Sequence, residues 1–74
     1  MRGFPYVYCR RLLRKAGAKQ VGSDATAELH KTIEDIAQEI SKRAVLFAED
    51  DLRFRVNRED VKAGLREFLE STTV

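Results

Sequence analysis

The sequence predicts an all-α fold, a long central helix between two short ones, and three observations carry that reading. Apolar residues from position 25 to position 47 recur at steps of three and four, the period of one helix face. Strong punctuation is sparse: Pro5 stands at the front, Gly17 and Gly22 bracket a short connection, and no Pro-rich, Ser-rich or repeated segment interrupts the chain. The apolar and basic residues of positions 8–16 fall on opposite sides of a helical projection.

The first helix is expected from about Tyr8 to Ala16. Cys9, Leu12, Leu13 and Ala16 share its apolar face, and Arg10, Arg11, Arg14 and Lys15 share the other. Gly17 stands where helices commonly end in a left-handed turn. The second helix begins near Ser23 or Asp24. Its stripe of Ala25, Leu29, Ile33, Ile36, Ile40, Ala44 and Phe47 meets no Pro or Gly before the acidic cluster Glu49-Asp50-Asp51. It can therefore run for about 27 residues, roughly 40 Å at 1.5 Å per residue. Leu52 to Val56 then alternates apolar and basic residues, which suits a short extended segment. The third helix starts at Asn57, a capping residue with Asp60 three positions on, and Val56 and Val61 stand where a hydrophobic staple forms. Val61, Leu65, Phe68 and Leu69 make its apolar face. Residues 1–7 read as a leader, 8–70 as the folded domain and 71–74 as a fraying tail.

A chain of 74 residues has room for one domain. Alone, a domain of this size hides only about 60% of the surface its unfolded form exposes. Cys9 is the single cysteine, so no disulfide closes within the chain, and Cys9 with His30 supplies two of the roughly four ligands a structural zinc needs. No metal or other cofactor is expected. A globule of this length is only about 29 Å across, shorter than the central helix. The stripe of Leu29, Ile33, Ile36 and Ile40 therefore needs a second chain to cover it, and self-association follows from geometry. No apolar run approaches the roughly 20 residues that span a bilayer, and the first residues lack the apolar stretch of a secretory signal. A reducing, aqueous compartment is expected, with no membrane partner.

Net charge is only +2, yet residues 1–20 hold Arg2, Arg10, Arg11, Arg14, Lys15 and Lys19 with no acid, and the remainder of the chain carries −4. A polyanion would be drawn to that end. No nucleophile with a base, no carboxylate pair in a cleft pattern and no phosphate-gripping glycine loop is visible. The chain reads as a binding protein and not as an enzyme.

Short helix, loop, long helix, loop and short helix is the plan of the histone fold, and Arg11-Leu12-Leu13-Arg14-Lys15-Ala16-Gly17-Ala18 resembles the first helix and first loop of archaeal histones. Ser23-Asp24-Ala25, the isoleucine-rich middle helix through Ala48, then Arg53, Val56 and Glu59-Asp60-Val61 continue the likeness in order and spacing, over roughly residues 8–69. The resemblance implies a handshake homodimer, its long helices crossing, with the first loop of one chain beside the second loop of the other. Leu29, Ile33, Ile36 and Ile40 would form the dimer core. The resemblance also implies that Arg53 grips Asp60 as a structural ion pair. Paired loops and first helices would line a convex basic surface for the backbone of double-stranded DNA, with Arg11 entering the minor groove. The DNA-binding positions on this reading are Arg10, Arg11, Arg14, Lys19, Gln20, Gly22, Phe54 and Arg55. Contacts of this kind favour deformable DNA rather than one sequence.

The chain departs from the archaeal histone pattern in its loops and at the end of its long helix. The second loop usually reads Gly-Arg-Lys-Thr, where this chain has Leu52-Arg53-Phe54-Arg55, so a phosphate-touching Lys becomes Phe54 and a Thr becomes Arg55. At the first loop the usual Arg is Gln20 and the usual Ser is Gly22, which removes contacts. The His through which two dimers join, by pairing with the Asp matching Asp60, is Asp50. The dimer-to-dimer surface of Leu46, Phe47, Asp50 and Asp60 is then expected to repel its copy, leaving dimers separate on DNA or bridging duplexes. The leader, with Phe4, Pro5, Tyr6 and Tyr8, replaces a proline-rich start.

Plainer readings stand beside these. Arg10, Arg11, Arg14, Lys19 and Arg55 could form a solvated charged face. Phe54 reads first as an aromatic packed over a neighbouring helix and second as one that stacks on sugar or base. Tyr6 and Tyr8 would cover the first helix, His30 would lie at the surface or in the dimer interface, and Cys9 behaves as a small apolar residue. Glu39 and Arg43, four apart, suit an ordinary helix pair. Two functions follow. One is a homodimer that bends, coats or bridges DNA in chromosome or nucleoid organisation in a prokaryotic cytoplasm. The other is a protein-interaction module, similar to histone-fold components of transcription-factor and centromere-associated complexes, whose main partner is a different histone-fold chain. The first is the leading reading; the acidic cluster Glu49-Asp50-Asp51 and the lost loop contacts lend some weight to the second.

Overall fold

The computed structural model describes residues 5–72. Three helices follow one another, α1 (Tyr6–Lys15), α2 (Ser23–Asp50) and α3 (Arg58–Thr72), and no strand occurs among the described residues. This is the short, long, short order of the histone fold. The chain forms two compact units, Met1–Asp35 and Ile36–Val74, and α2 runs through both. Phe4 and Arg2 of the leader, and residues 73 and 74 of the tail, lie outside the described residues.

In the first unit α1 starts at Tyr6, two residues earlier than expected. Pro5, with φ −66°, is preset for a helix start, and its carbonyl accepts from the N–H groups of Tyr8 and Cys9 at 3.2 and 3.4 Å. At the other end Arg14 and Lys15 sit in the last turn, where the helix dipole favours cations. The Gly17 N–H donates to the Arg14 carbonyl at 3.0 Å and the Ala18 N–H to the Leu13 carbonyl at 3.2 Å, a Schellman closure with Gly17 at φ 114°. Cys9 is fully buried, and Thr26 and His30 of α2 are buried with it. The rings of Tyr6 and His30 stack at 4.1 Å between centroids and 17° between planes. His30 is thus packed inside its own chain rather than placed at the surface, and Tyr6 belongs to α1. The stack forms because the early start of α1 puts Tyr6 on the same side as Cys9.

In the second unit α3 lies against α2 through Gly64. A Cβ at that position would stand 2.9 Å from the Ile40 carbonyl oxygen and 3.1 Å from the Ala44 nitrogen, so only glycine lets the two backbones approach this closely. Ala44 and Ala48 are buried in this unit. The close approach also redirects Arg43. Instead of pairing with Glu39, Arg43 reaches α3, where it donates to Glu67 at 3.0 Å and to Ser71 at 3.4 Å and lies 5.9 Å from the Phe68 ring centre. Glu39 takes Lys42 at 3.5 Å. Ser71 and Thr72 stay helical where fraying was expected, their hydroxyls donating to the Phe68 and Leu69 carbonyls at 2.8 and 2.9 Å.

A second Schellman closure ends α2. The Arg53 N–H donates to the Ala48 carbonyl and the Leu52 N–H to the Glu49 carbonyl, both at 2.9 Å. The residue in the left-handed region is Leu52, at φ 57°, not a glycine. The expected extended segment from Leu52 to Val56 is therefore a bent connection, because the closure takes its first residue into the helix cap.

What the chain leaves open is as informative as what it buries. Among the described residues, Cys9, Ala44 and Ala48 are the buried apolar ones. Leu29, Ile33 and Ile40 are half-buried, and Ile36 is 40% exposed. Val61, Leu65 and Leu69, four apart along α3, are all exposed.

Candidate nucleic-acid interface

In the first unit the candidate surface is the outer side of α1. Arg10, Arg11, Arg14 and Lys15 are exposed, and none pairs with an acid among the described residues. Helical spacing sets them opposite Cys9, so burial of Cys9 turns the cations outward. Lys19, Gln20 and Gly22 follow, exposed, in the connection to α2. A Cβ on Gly22 would meet the Asp24 carboxylate oxygen at 2.6 Å. That oxygen accepts from the Ala25 N–H at 2.8 Å, so Gly22 leaves Asp24 in place at the positive end of α2.

In the second unit the candidate surface is the connection after α2, organised by Arg53. Its guanidinium donates through Nη1 and Nη2 to the two Asp60 carboxylate oxygens at 2.9 and 2.7 Å, through Nε to Asp51 at 2.8 Å, and through Nη1 to the Arg55 carbonyl at 3.0 Å. Asp60 is only 4% exposed and also accepts from the Asn57 N–H at 2.7 Å, which fixes the start of α3. The Arg53 guanidinium, and then the Asn57 N–H, pull the Asp60 carboxyl down to about 2. Asp60, followed by Asp51, raises the Arg53 pKa further above its ordinary value. Arg53 and Asp60 thus pair with each other across the second loop.

Phe54 and Arg55 are both exposed. Phe54 is 108% exposed, so it does not pack over a helix of its own chain. Arg55 has no acidic partner among the described residues. Of the dimer-to-dimer positions, Leu46 and Asp50 are exposed and Phe47 is half-buried. Asp60 is buried, and Asp50 is the exposed acid of that set. Lys19, Gln20 and Gly22 belong to the first unit, and Phe54 and Arg55 to the second.

Two residues that matter were not singled out as sites from the sequence. Gly64 gives no local sign, because its reason is a contact with another helix. Leu52 at the glycine place of the second loop was a visible departure, but its positive φ was not. Among the described residues no group of three His, Cys, Asp or Glu could hold a metal ion, and no helix is long and apolar enough to cross a membrane.

Comparison with known proteins places residues 2–65 in the family described as histone-like transcription factor (CBF/NF-Y) and archaeal histone. The chain is similar to probable archaeal histone 3 of Methanocaldococcus jannaschii, 41% identical over 66 residues that make up 89% of this chain and 98% of that protein. It is also similar to one of the subunits of archaeal histone HAN1 of Thermococcus zilligii, 38% identical over 66 residues, again 89% and 98% of the two chains.

Proposed function

This chain belongs to the family of histone-like transcription factors and archaeal histones, and on that premise we propose that it forms a handshake homodimer that binds double-stranded DNA without sequence preference. The observation that carries the reading is the acid-free face of α1, where four exposed cations meet no counter-charge among the described residues. The cations of such a face displace the counterions condensed on the phosphates into solution, and that release supplies the driving force. The half-open stripe of Leu29, Ile33, Ile36 and Ile40 supplies the dimer, each side chain worth roughly 1.5 to 3 kcal/mol when fully covered. In the dimer the second loop of one chain lies beside the first loop of the other, so Arg55 extends the surface begun by Lys19. Arg11 enters the minor groove, and the Arg53–Asp60 pair holds the second loop in shape. The role is to bend, coat or bridge DNA in the nucleoid of a prokaryotic cytoplasm, as a binding protein rather than a catalyst.

A heterodimer with another histone-fold chain is the second reading, favoured by Glu49 and Asp50 at the end of α2, which have no basic partner among the described residues, and by a relative whose name makes it a subunit. Sedimentation and a gel shift on the purified chain separate the two. A stable homodimer that shifts DNA supports the first. A chain that stays unfolded until a second histone-fold protein is added supports the second.

A further inference from the structure

Leu52 and Phe54 are 93% and 108% exposed, the two most open large apolar residues among those described. A slack loop would fold such side chains back onto the protein. This loop is braced on both sides of Phe54. The Arg53 N–H is tied to the Ala48 carbonyl at 2.9 Å, the Arg53 guanidinium to the Arg55 carbonyl at 3.0 Å, and Asp60 to the Asn57 N–H at 2.7 Å. Leu52 is kept in the left-handed region at φ 57°, against its own preference. An aromatic side chain presented outward from a braced backbone loses little freedom on binding, which is the condition for an anchor.

The neighbouring charges indicate what the anchor enters. Arg55 stands next to Phe54 with no acidic partner among the described residues, whereas the charge of Arg53 is taken up by Asp51 and Asp60. Glu49 and Asp50, on the last turn of α2, would oppose a phosphate gripped by the loop as a whole. An apolar tip with one free cation suits contact with sugars and base edges beside a single phosphate. We propose that Phe54 is an apolar wedge that enters the minor groove of duplex DNA between base steps and kinks it, while Arg55 holds the adjacent phosphate. The proposal rests on the DNA-binding reading above. Inserted apolar side chains unstack base steps and bend the duplex by roughly 20–90°, most easily at flexible pyrimidine–purine steps.

The test uses the whole chain and its Phe54→Ala and Phe54→Lys variants on a 30-base-pair duplex carrying 2-aminopurine beside a central TA step and a donor and acceptor dye at its ends. The wild type should raise 2-aminopurine fluorescence and shorten the end-to-end distance. Phe54→Lys should still bind but lose both signals, and Phe54→Ala should bind about tenfold or more weakly and also lose them. Binding variants that keep the fluorescence rise and the bend would overturn the wedge and leave the DNA-binding reading intact. Variants whose free dimer dissociates or melts earlier would overturn it too, by placing Phe54 in the dimer contact. A wild type that binds no DNA at low salt would remove the DNA-binding reading itself, and the wedge with it.

Discussion

Replacing Leu52 by glycine should make the protein more stable, although it deletes an entire leucine side chain. Leu52 holds φ 57° to close α2, and its side chain is almost wholly in water, so the folded chain loses no packing when it goes. The left-handed conformation costs an L-residue roughly 1–2 kcal/mol. Glycine removes that strain but adds roughly 0.4–1 kcal/mol of unfolded-state entropy. The net gain is about 0.5–1 kcal/mol per chain, or about 2–8 °C in melting temperature for a domain of this size. Gly17→Ala is the mirror experiment. Nothing lies within 4 Å of a Cβ at Gly17, so only its φ of 114° opposes the substitution, and stability should fall by about 1 kcal/mol or more. Thermal and urea denaturation followed by circular dichroism read both. The reasoning is refuted if Leu52→Gly destabilises the protein, since Leu52 must then be covered in the native assembly.

Three further outcomes follow from the same geometry. Gly64→Ala should destabilise by about 1–3 kcal/mol in thermal denaturation, despite the better helix propensity of alanine, because the new Cβ meets backbone atoms of Ile40 and Ala44 that cannot turn away. Asp60, held at about 2 when folded against roughly 3.9 when unfolded, contributes stability that is complete above about pH 5 and lost as pH falls through 4 toward 2. The urea midpoint of the wild type should drop across that window, and that of Asp60→Asn should start lower and drop less. Asp50→His should promote contact between dimers by replacing an exposed acid with a group that pairs with acids. A nuclease-protection ladder growing by about 30 base pairs per dimer, three helical turns of about 10 base pairs each, should appear with Asp50→His and be absent with the wild type.

Much of the fold is legible in the sequence because it follows from periodicity. The steps of three and four from Ala25 to Phe47 define α2, and Gly17 marks the end of α1 since glycine adopts its φ freely. Elements that depend on distant contacts are not legible in the same way. Leu52 closes α2 in a conformation leucine disfavours, so no local rule finds it. Gly64 reads as a weak point in a helix until Ile40 and Ala44 are seen across from it. Arg43 has a suitable partner four residues back in Glu39, yet the longer-range Glu67, Ser71 and Phe68 take it. In the candidate site, outward cations on α1 follow from the helical projection. The link between Arg53 and Asp60, seven residues apart across a loop and a helix start, has no periodic signature and came only through the likeness to archaeal histones. Exposure of Phe54 depends on the bracing of its loop, which no composition or spacing encodes.

The central claim, a dimer whose cations replace the counterions of duplex DNA, is tested most directly by titrating the purified chain against random-sequence duplexes over a range of ionic strength. If a dimer engages about six to ten phosphates, affinity should fall roughly 10³- to 10⁵-fold between 50 and 200 mM salt, with the same slope for every sequence. Arg11→Ala and Arg55→Ala should each weaken all duplexes alike and flatten that slope. Absence of binding at 50 mM salt, an affinity indifferent to salt, or a strong preference for one sequence would contradict the account.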